Sequence, residues 1–286
     1  MNKLAASIET SSKQAAESAD LPGLFPAGTH VYVTDIGDTV ESHTAATKRL
    51  RELGYEPVPH IAARRASNKA DLDERLRRMV GEAGVRNVLV IGGGLEKPAG
   101  EFTGTMDVLN TGLLDKHGIK KIGVAGHPEG SPDFSEAVAQ KILIEKKAYA
   151  ERTGAEMRIV TQFGFNPEKF VAWAEGLRSH GIDMPVHLGV SGPAKITTLL
   201  KYAVMCGVGE SINFLKRNAL SVAALAGSQS PEPIVEPIER HVANTPNSAI
   251  AQLHVFPFGG LKGSAGWLIE RGSWNMNPKH TAAAAE

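Results

Sequence analysis

Short apolar, β-branched runs alternate along this chain with stretches whose apolar residues recur at helical spacing. The runs at 5–9 (AASIE), 30–35 (HVYVTD), 57–62 (PVPHIA), 87–92 (NVLVIG), 121–126 (KIGVAG), 158–162 (RIVTQ), 185–190 (PVHLGV) and 251–256 (AQLHVF) predict strands. Between them, Leu72, Leu76, Met79 and Val80 lie on one helical face, with Asp71 as the expected N-cap and Gly84 as the stop. Ile196, Leu199, Leu200 and Ala203 form a second stripe that ends at Gly207. A third helix opens on Asn166-Pro167 and closes on Gly181. Strands that are apolar nearly throughout are those buried on both faces, as in a parallel sheet covered by helices. Strand and helix alternating eight times fit a closed (β/α)8 TIM barrel better than an open doubly wound sheet.

One barrel domain is expected over residues 1–276, and 277–286 (PKHTAAAAE with its preceding Asn) has no core pattern and reads as a tail. The segment 209–248 is long for a connection; SINFLKRNALSVAALAG within it predicts a helix pair, followed by the Pro-rich SPEPIVEP.

Composition narrows the function class. Hydrophobic residues make up 42% and charged residues 22%, enough for a sizeable core in a soluble protein. Lys and Arg total 31 and Asp and Glu total 31, so no global field recruits nucleic acid or an anionic membrane. RRASNK is the one locally basic loop; solvation accounts for it, and a phosphate-bearing cofactor is the alternative. Cys206 is the single cysteine, which excludes an intrachain disulfide and a thiolate metal site. MNKLAASIETSSKQ has one lysine and an apolar run broken by Glu9, unlike a signal peptide, and no run approaches the ~18 apolar residues of a membrane span. The expectation is a cytoplasmic protein, with a homo-oligomer left open.

In a barrel the reactive groups project from the C-terminal ends of strands. Those ends hold Glu9, Thr34, Asp35, His60, Gly92-Gly93-Gly94, His127, Gln162, Gly189 and His254. A partly desolvated carboxyl such as Glu9 suits a general acid, and a surface carboxylate is the plainer alternative. The Gln162 amide offers donors and an acceptor to the edge of a heterocycle. His60 and His254 fit a site or a hydrogen-bonded core equally well, and the histidine spacing predicts no metal site. The glycine run allows close backbone approach to a ligand, AGHPEGSPD is a turn-rich loop carrying His127, and Lys146 and Lys147 face either phosphate or solvent.

These same segments resemble the methylenetetrahydrofolate reductase family. VAGHPEG is similar to its VAGYPEGHP loop, TQFGF to TQFFF, VPHIAAR to VPHLTC, HVYVTDIG to VSVTYGAG, and RNVLVIGGG to RNILALRGD. The five pieces occur in the family's order, from SIETSSK to LHVFPFGG. The resemblance implies a (β/α)8 barrel that binds FAD at the strand C-termini. It implies reduction of 5,10-methylenetetrahydrofolate to 5-methyltetrahydrofolate with NADH or NADPH, or the reverse reaction in one-carbon catabolism. By position, Glu9 stands at the glutamate that protonates the methylene-bridge nitrogen. Gln162, with Ile196 and Phe258, stands at the folate. Thr34, His60, Gly92, Gly93, Gly94, Ala125, His127, Lys146 and Lys147 stand at cofactor positions.

The chain also departs from the pattern. Gly92-Gly93-Gly94 replaces Arg-Gly-Asp, which removes an aspartate shared by flavin and pterin; His127 replaces a flavin-stacking tyrosine; and SIETSS replaces FEFFPP. Two other readings therefore stay open: direct hydride transfer from NADH without flavin, and a non-redox folate-binding barrel protein.

Overall fold

The structure is a computed structural model that describes residues 3–131, 133–209 and 227–276. The expected helix pair falls at 211–227 and the expected tail at 277–286, so all but Gly227 of these stretches lies outside the described residues. Eight strands close into a barrel: β1 (Ala6–Ser11), β2 (His30–Thr34), β3 (Glu56–Ala62), β4 (Asn87–Ile91), β5 (Lys121–Gly126), β6 (Glu156–Phe163), β7 (Val186–Ser191) and a final strand, Ile250–Phe256. Going round the barrel, β1 is followed by the final strand, then β7 and β6 down to β2. The expected TIM barrel is the fold observed. All eight expected runs become barrel strands, with ends displaced by a residue or two. The displacement matters for β1, which continues past Glu9 to Ser11; the last strand ends at Phe256 as expected and holds His254 within it.

The chain divides into two compact units. One comprises Glu9–Ala125, Glu145–Arg158 and Met276–Glu286. Its strands β2 to β5 pair in parallel, Val31 opposite Pro57, His60 opposite Leu89 and Val88 opposite Ile122. α2 (Val40–Glu52) and α3 (Lys69–Ala83) cover them, with Leu50, Leu72 and Leu76 fully buried against Val31, Val33, Val58 and Val90. Each such side chain contributes roughly 1.5–3 kcal/mol by leaving water. The N-cap of α3 is Asn68, whose side chain accepts from the Asp71 N–H, and not Asp71 as expected. Asp71 stands in the first turn and accepts from the Ser67 N–H, where a carboxylate also meets the positive end of the helix dipole. Gly84 ends α3 in the left-handed conformation at φ 61°.

The other unit comprises Met1–Ile8, Gly126–Ile144 and Ile159–Asn275. Here the final strand pairs with both β1 and β7. α7 (Pro167–Gly176) begins on the Asn166 cap, continues through a 3-10 turn at Leu177–His180 and stops at Gly181, as its sequence predicts. α8 (Ile196–Met205) buries Ile196, Leu199 and Ala203. The Pro-rich stretch opens a helix, Glu232–Asn244, that carries Pro237 inside it. A buried ion network ties this helix to the N-terminal segment and to the helix Leu261–Glu270: Arg271 donates to Glu232 and Glu239, and Glu239 also accepts from Lys3 Nζ and the Leu4 N–H. Among the described residues, no helix is long and apolar enough to cross a membrane.

Candidate active site

β1 and β3 bring Glu9 and His60 together. Glu9 Oε2 lies 3.8 Å from His60 Nε2, within ion-pair range but beyond a hydrogen bond, and both side chains are largely buried. Strand alternation places Tyr32 on the same face of β2 as Thr34. The Tyr32 ring meets the His60 ring edge-to-face at 6.2 Å. The Tyr32 hydroxyl accepts from Arg158 Nε at 2.9 Å, and the guanidinium carbon lies 5.5 Å from the ring centre. Burial pushes the Tyr32 phenol above its ordinary range, against the pull of the Arg158 charge and hydrogen bond, and the Glu9 charge adds to the rise.

The remaining expected cofactor residues in this unit fall around the ends of β2, β4 and β5. Thr34 ends β2 and is half-buried, as is Ala125 near the end of β5. Gly92 and Gly94 follow β4, and a Cβ built on either would meet only open space. On α6 (Glu136–Thr153) the two lysines differ. Lys147 pairs with Glu151 one turn on, whereas Lys146 is buried, and burial pulls its ammonium down to about 8. Among the described residues Lys146 has no hydrogen-bond or ion-pair partner, and the Arg65 Nε is likewise buried without an acceptor. A flavin dinucleotide fits this donor set: a flat ring needs the open space beside the glycines, and its pyrophosphate needs cationic donors not already paired.

The other unit holds Gln162. β6 and β7 slip register between Val160 and Phe163, a bulge that turns the Gln162 side chain out of the regular ladder. Thr161 Oγ1 accepts from the Gly189 N–H at 2.8 Å and donates to the Gln162 carbonyl, which fixes the bulge. One Gln162 amide hydrogen donates to the Cys206 carbonyl at 3.1 Å; among the described residues the side-chain carbonyl of Gln162 has no partner.

Aromatic side chains gather beside it. Phe163 is buried and meets Phe165, Phe256 and Phe258, while Tyr202 of α8 stacks on Phe258 with centroids 4.0 Å apart and planes 13° apart. Tyr202, Phe256 and Phe258 are all half-buried. Ile196 opens α8 on its buried stripe. His127 follows β5, edge-to-face with Phe134 at 5.1 Å. His254 is wholly buried and hydrogen-bonds Ser7 at 3.0 Å, the satisfied core histidine of its two readings.

Gly164 accounts for the break in the aromatic run TQFGF. A Cβ there would stand 2.5 Å from the Phe170 ring and 2.6 Å from Glu129 Oε1, so no second phenylalanine fits. Sequence reasoning missed Tyr202, Phe256, Tyr32 and Arg158. For Tyr32 a signal existed: it lies two residues before Thr34, the spacing that keeps residues on one face of a strand.

The family model described as methylenetetrahydrofolate reductase matches residues 21–218. Among curated relatives, the 5,10-methylenetetrahydrofolate reductase of Pectobacterium carotovorum subsp. carotovorum is 28% identical over 181 residues, covering 62% of this chain and 57% of the relative. That of Escherichia coli (strain K12) is 26% identical over 177 residues, with the same coverage. The chain thus spans little more than half the length of these relatives. Among solved structures, an uncharacterized protein from Clostridium thermocellum that binds two copies of 5-methyl-5,6,7,8-tetrahydrofolic acid superposes with a TM-score of 0.58 at 10% identity, over 94% of this chain and 96% of that one. That likeness is one of fold. With the family model matching well over half its length, the chain belongs to the methylenetetrahydrofolate reductase family.

Proposed function

We propose that this protein reduces 5,10-methylenetetrahydrofolate to 5-methyltetrahydrofolate, drawing hydride from NADH or NADPH through FAD. The observation that carries the reading is the Gln162 amide, raised on a bulge with its carbonyl open and aromatic side chains beside it. The edge of a pterin presents amide-like donors and acceptors that one glutamine side chain can read, and its faces suit Phe258 and Tyr202. The folate relatives and the folate-binding fold neighbour support the substrate class.

In this reading Glu9 donates a proton to the bridging nitrogen of the folate, opening the ring to an iminium that accepts hydride at carbon. Its burial beside His60 favours proton delivery over solvent exchange. Thr34, Ala125 and the Gly92–Gly94 backbone would border the flavin ring, and Lys146 and Arg65 would answer its phosphates, with Lys147 joining them on leaving Glu151. When bound, FAD supplies the hydride relay between nicotinamide and folate.

A second reading, direct hydride transfer from nicotinamide to folate, is favoured by one observation: the family's Arg-Gly-Asp is three glycines here. The experiment is an absorbance spectrum of the purified protein with and without added FAD, then with NADH and methylenetetrahydrofolate. A flavin band near ~450 nm that bleaches with NADH and returns with folate is the expected result. Folate-dependent NADH oxidation with no flavin bound supports the second reading. No change with either cofactor or folate refutes both.

A further inference from the structure

Arg158 is a cation buried where barrel strands usually carry branched aliphatic side chains. It is 9% exposed, it stands on β6, and among the described residues its Nη2 has no hydrogen-bond partner. Among the described residues no carboxylate is hydrogen-bonded to it; its one acceptor is the Tyr32 hydroxyl. Room for the guanidinium comes from Gly123 on β5, where a Cβ would stand 3.2 Å from Nη2 and 3.0 Å from Leu89 Cδ1. Burying such a charge without a counter-ion costs several kcal/mol in general, so an aliphatic residue would serve packing better. What the charge does act on is visible from its neighbours. Tyr32 touches both Arg158 and His60, His60 faces Glu9, and the charges of Arg158 and Glu9 are both felt at the Tyr32 phenol.

We propose that Arg158 is a positioning residue for Glu9: it holds Tyr32 against His60 and lends the Glu9–His60 pair a fixed positive charge that sets the upper pH limit at which Glu9 still holds its proton. The titratable groups around this pair are Glu9 on β1, His30 and Tyr32 on β2, His60 on β3 and Arg158 on β6, with Glu56 and Lys121 acting on His30. Arg158 is the permanent charge in contact with Tyr32, so its removal is felt by both Glu9 and His60. Losing a nearby cation raises the pKa of a carboxyl and of an imidazole alike.

The inference rests on the reductase reading for the purpose of the charge, not for its existence, and the test separates the two. Glu9 and His60 are titrated by carbon-13 NMR in the protein without substrate. The proteins compared are wild type, Arg158→Gln and Arg158→Met, which remove the charge, and Arg158→Lys, which keeps it. Gln retains a donor for the Tyr32 hydroxyl, so it serves where Met does not fold. The neutral variants are expected to move both midpoints up by about one pH unit, the size of a unit charge acting across a phenol at intermediate dielectric, while Arg158→Lys stays near wild type. In turnover, the alkaline limb of kcat/KM moves up with Glu9 in the neutral variants and stays in place in Arg158→Lys. Neutral variants that titrate as wild type, or a lysine variant shifted as far as the glutamine one, overturn the proposal. A wild type with no folate-dependent turnover refutes the reductase reading and leaves the titration to decide the role of Arg158.

Discussion

Replacing Lys146 by methionine should make the protein more stable at neutral pH. The side chain sits on the buried stripe of α6 with Leu143 and Tyr149, and its ammonium has no partner among the described residues. Burial lowers its pKa from 10.5 to about 8. At about 1.4 kcal/mol per pH unit, holding the charge inside costs about 3 kcal/mol. Below pH 8 folded and unfolded chains both carry the proton and the cost is fully present. Between 8 and 10.5 the folded chain releases it while the unfolded chain keeps it, so stability rises with pH; above that the cost is gone. Methionine keeps the length and apolar stem without the charge. Urea unfolding of both proteins should therefore show Lys146→Met stabilised by about 1–3 kcal/mol at neutral pH, with the gain shrinking towards pH 10. An unstable variant at neutral pH, or a gain constant across that range, would refute the reasoning. The same lysine is a proposed phosphate donor, so added FAD should raise the Tm of wild type by more than that of the variant. That pairing is what a residue kept for binding at a cost in stability predicts.

Glu9→Gln keeps the shape and loses the proton; folate-dependent NADH oxidation should fall by about 10²–10⁴ with folate affinity little changed, and a fully active variant would remove Glu9 from the chemistry. Gln162→Ala should raise KM for the folate about tenfold, the worth of one or two hydrogen bonds, with a smaller effect on kcat; steady-state kinetics with unchanged KM would count against the pterin role. Gly164→Ala, which forces a methyl into Phe170 and Glu129, should cost about 1–3 kcal/mol in denaturant unfolding. Glu239→Ala leaves Arg271 and Lys3 short of a buried carboxylate and should cost about 3 kcal/mol; a thermal midpoint equal to wild type would show that Glu232 alone satisfies them.

The barrel was legible because its strands are continuous apolar runs, and because Gly84, Gly181 and Asn166 mark helix ends by mechanisms that do not depend on tertiary context. Where the reading slipped, a local rule had two candidates. Asn68 and Asp71 both suit a cap, and the first polar residue upstream took the position while Asp71 turned its carboxylate to the Ser67 N–H. His254 was grouped with the strand-end residues although its run AQLHVF continues to Phe256; two residues short of that end it is core, bonded to Ser7.

The interior polar residues were the least legible, for a physical reason. Before the bulge in MRIVTQ, Arg158 and Val160 share one face of the strand, so a charged and an apolar residue occupy positions that a hydropathy reading assigns to the core. Such a face is stable only if each polar group finds a partner or has a use. Tyr32 finds Arg158 and Ser7 finds His254, partners on strands far apart in sequence that no local window contains. Arg158 Nη2 and the Lys146 ammonium have none among the described residues. A barrel selected for stability alone would replace both with aliphatic residues. Two buried cations without a hydrogen-bonded carboxylate among the described residues, one behind Tyr32 and one on the buried stripe of α6, are therefore what supports reading this unit as arranged around charge: an anionic ligand for Lys146, and the Glu9 carboxylate for Arg158.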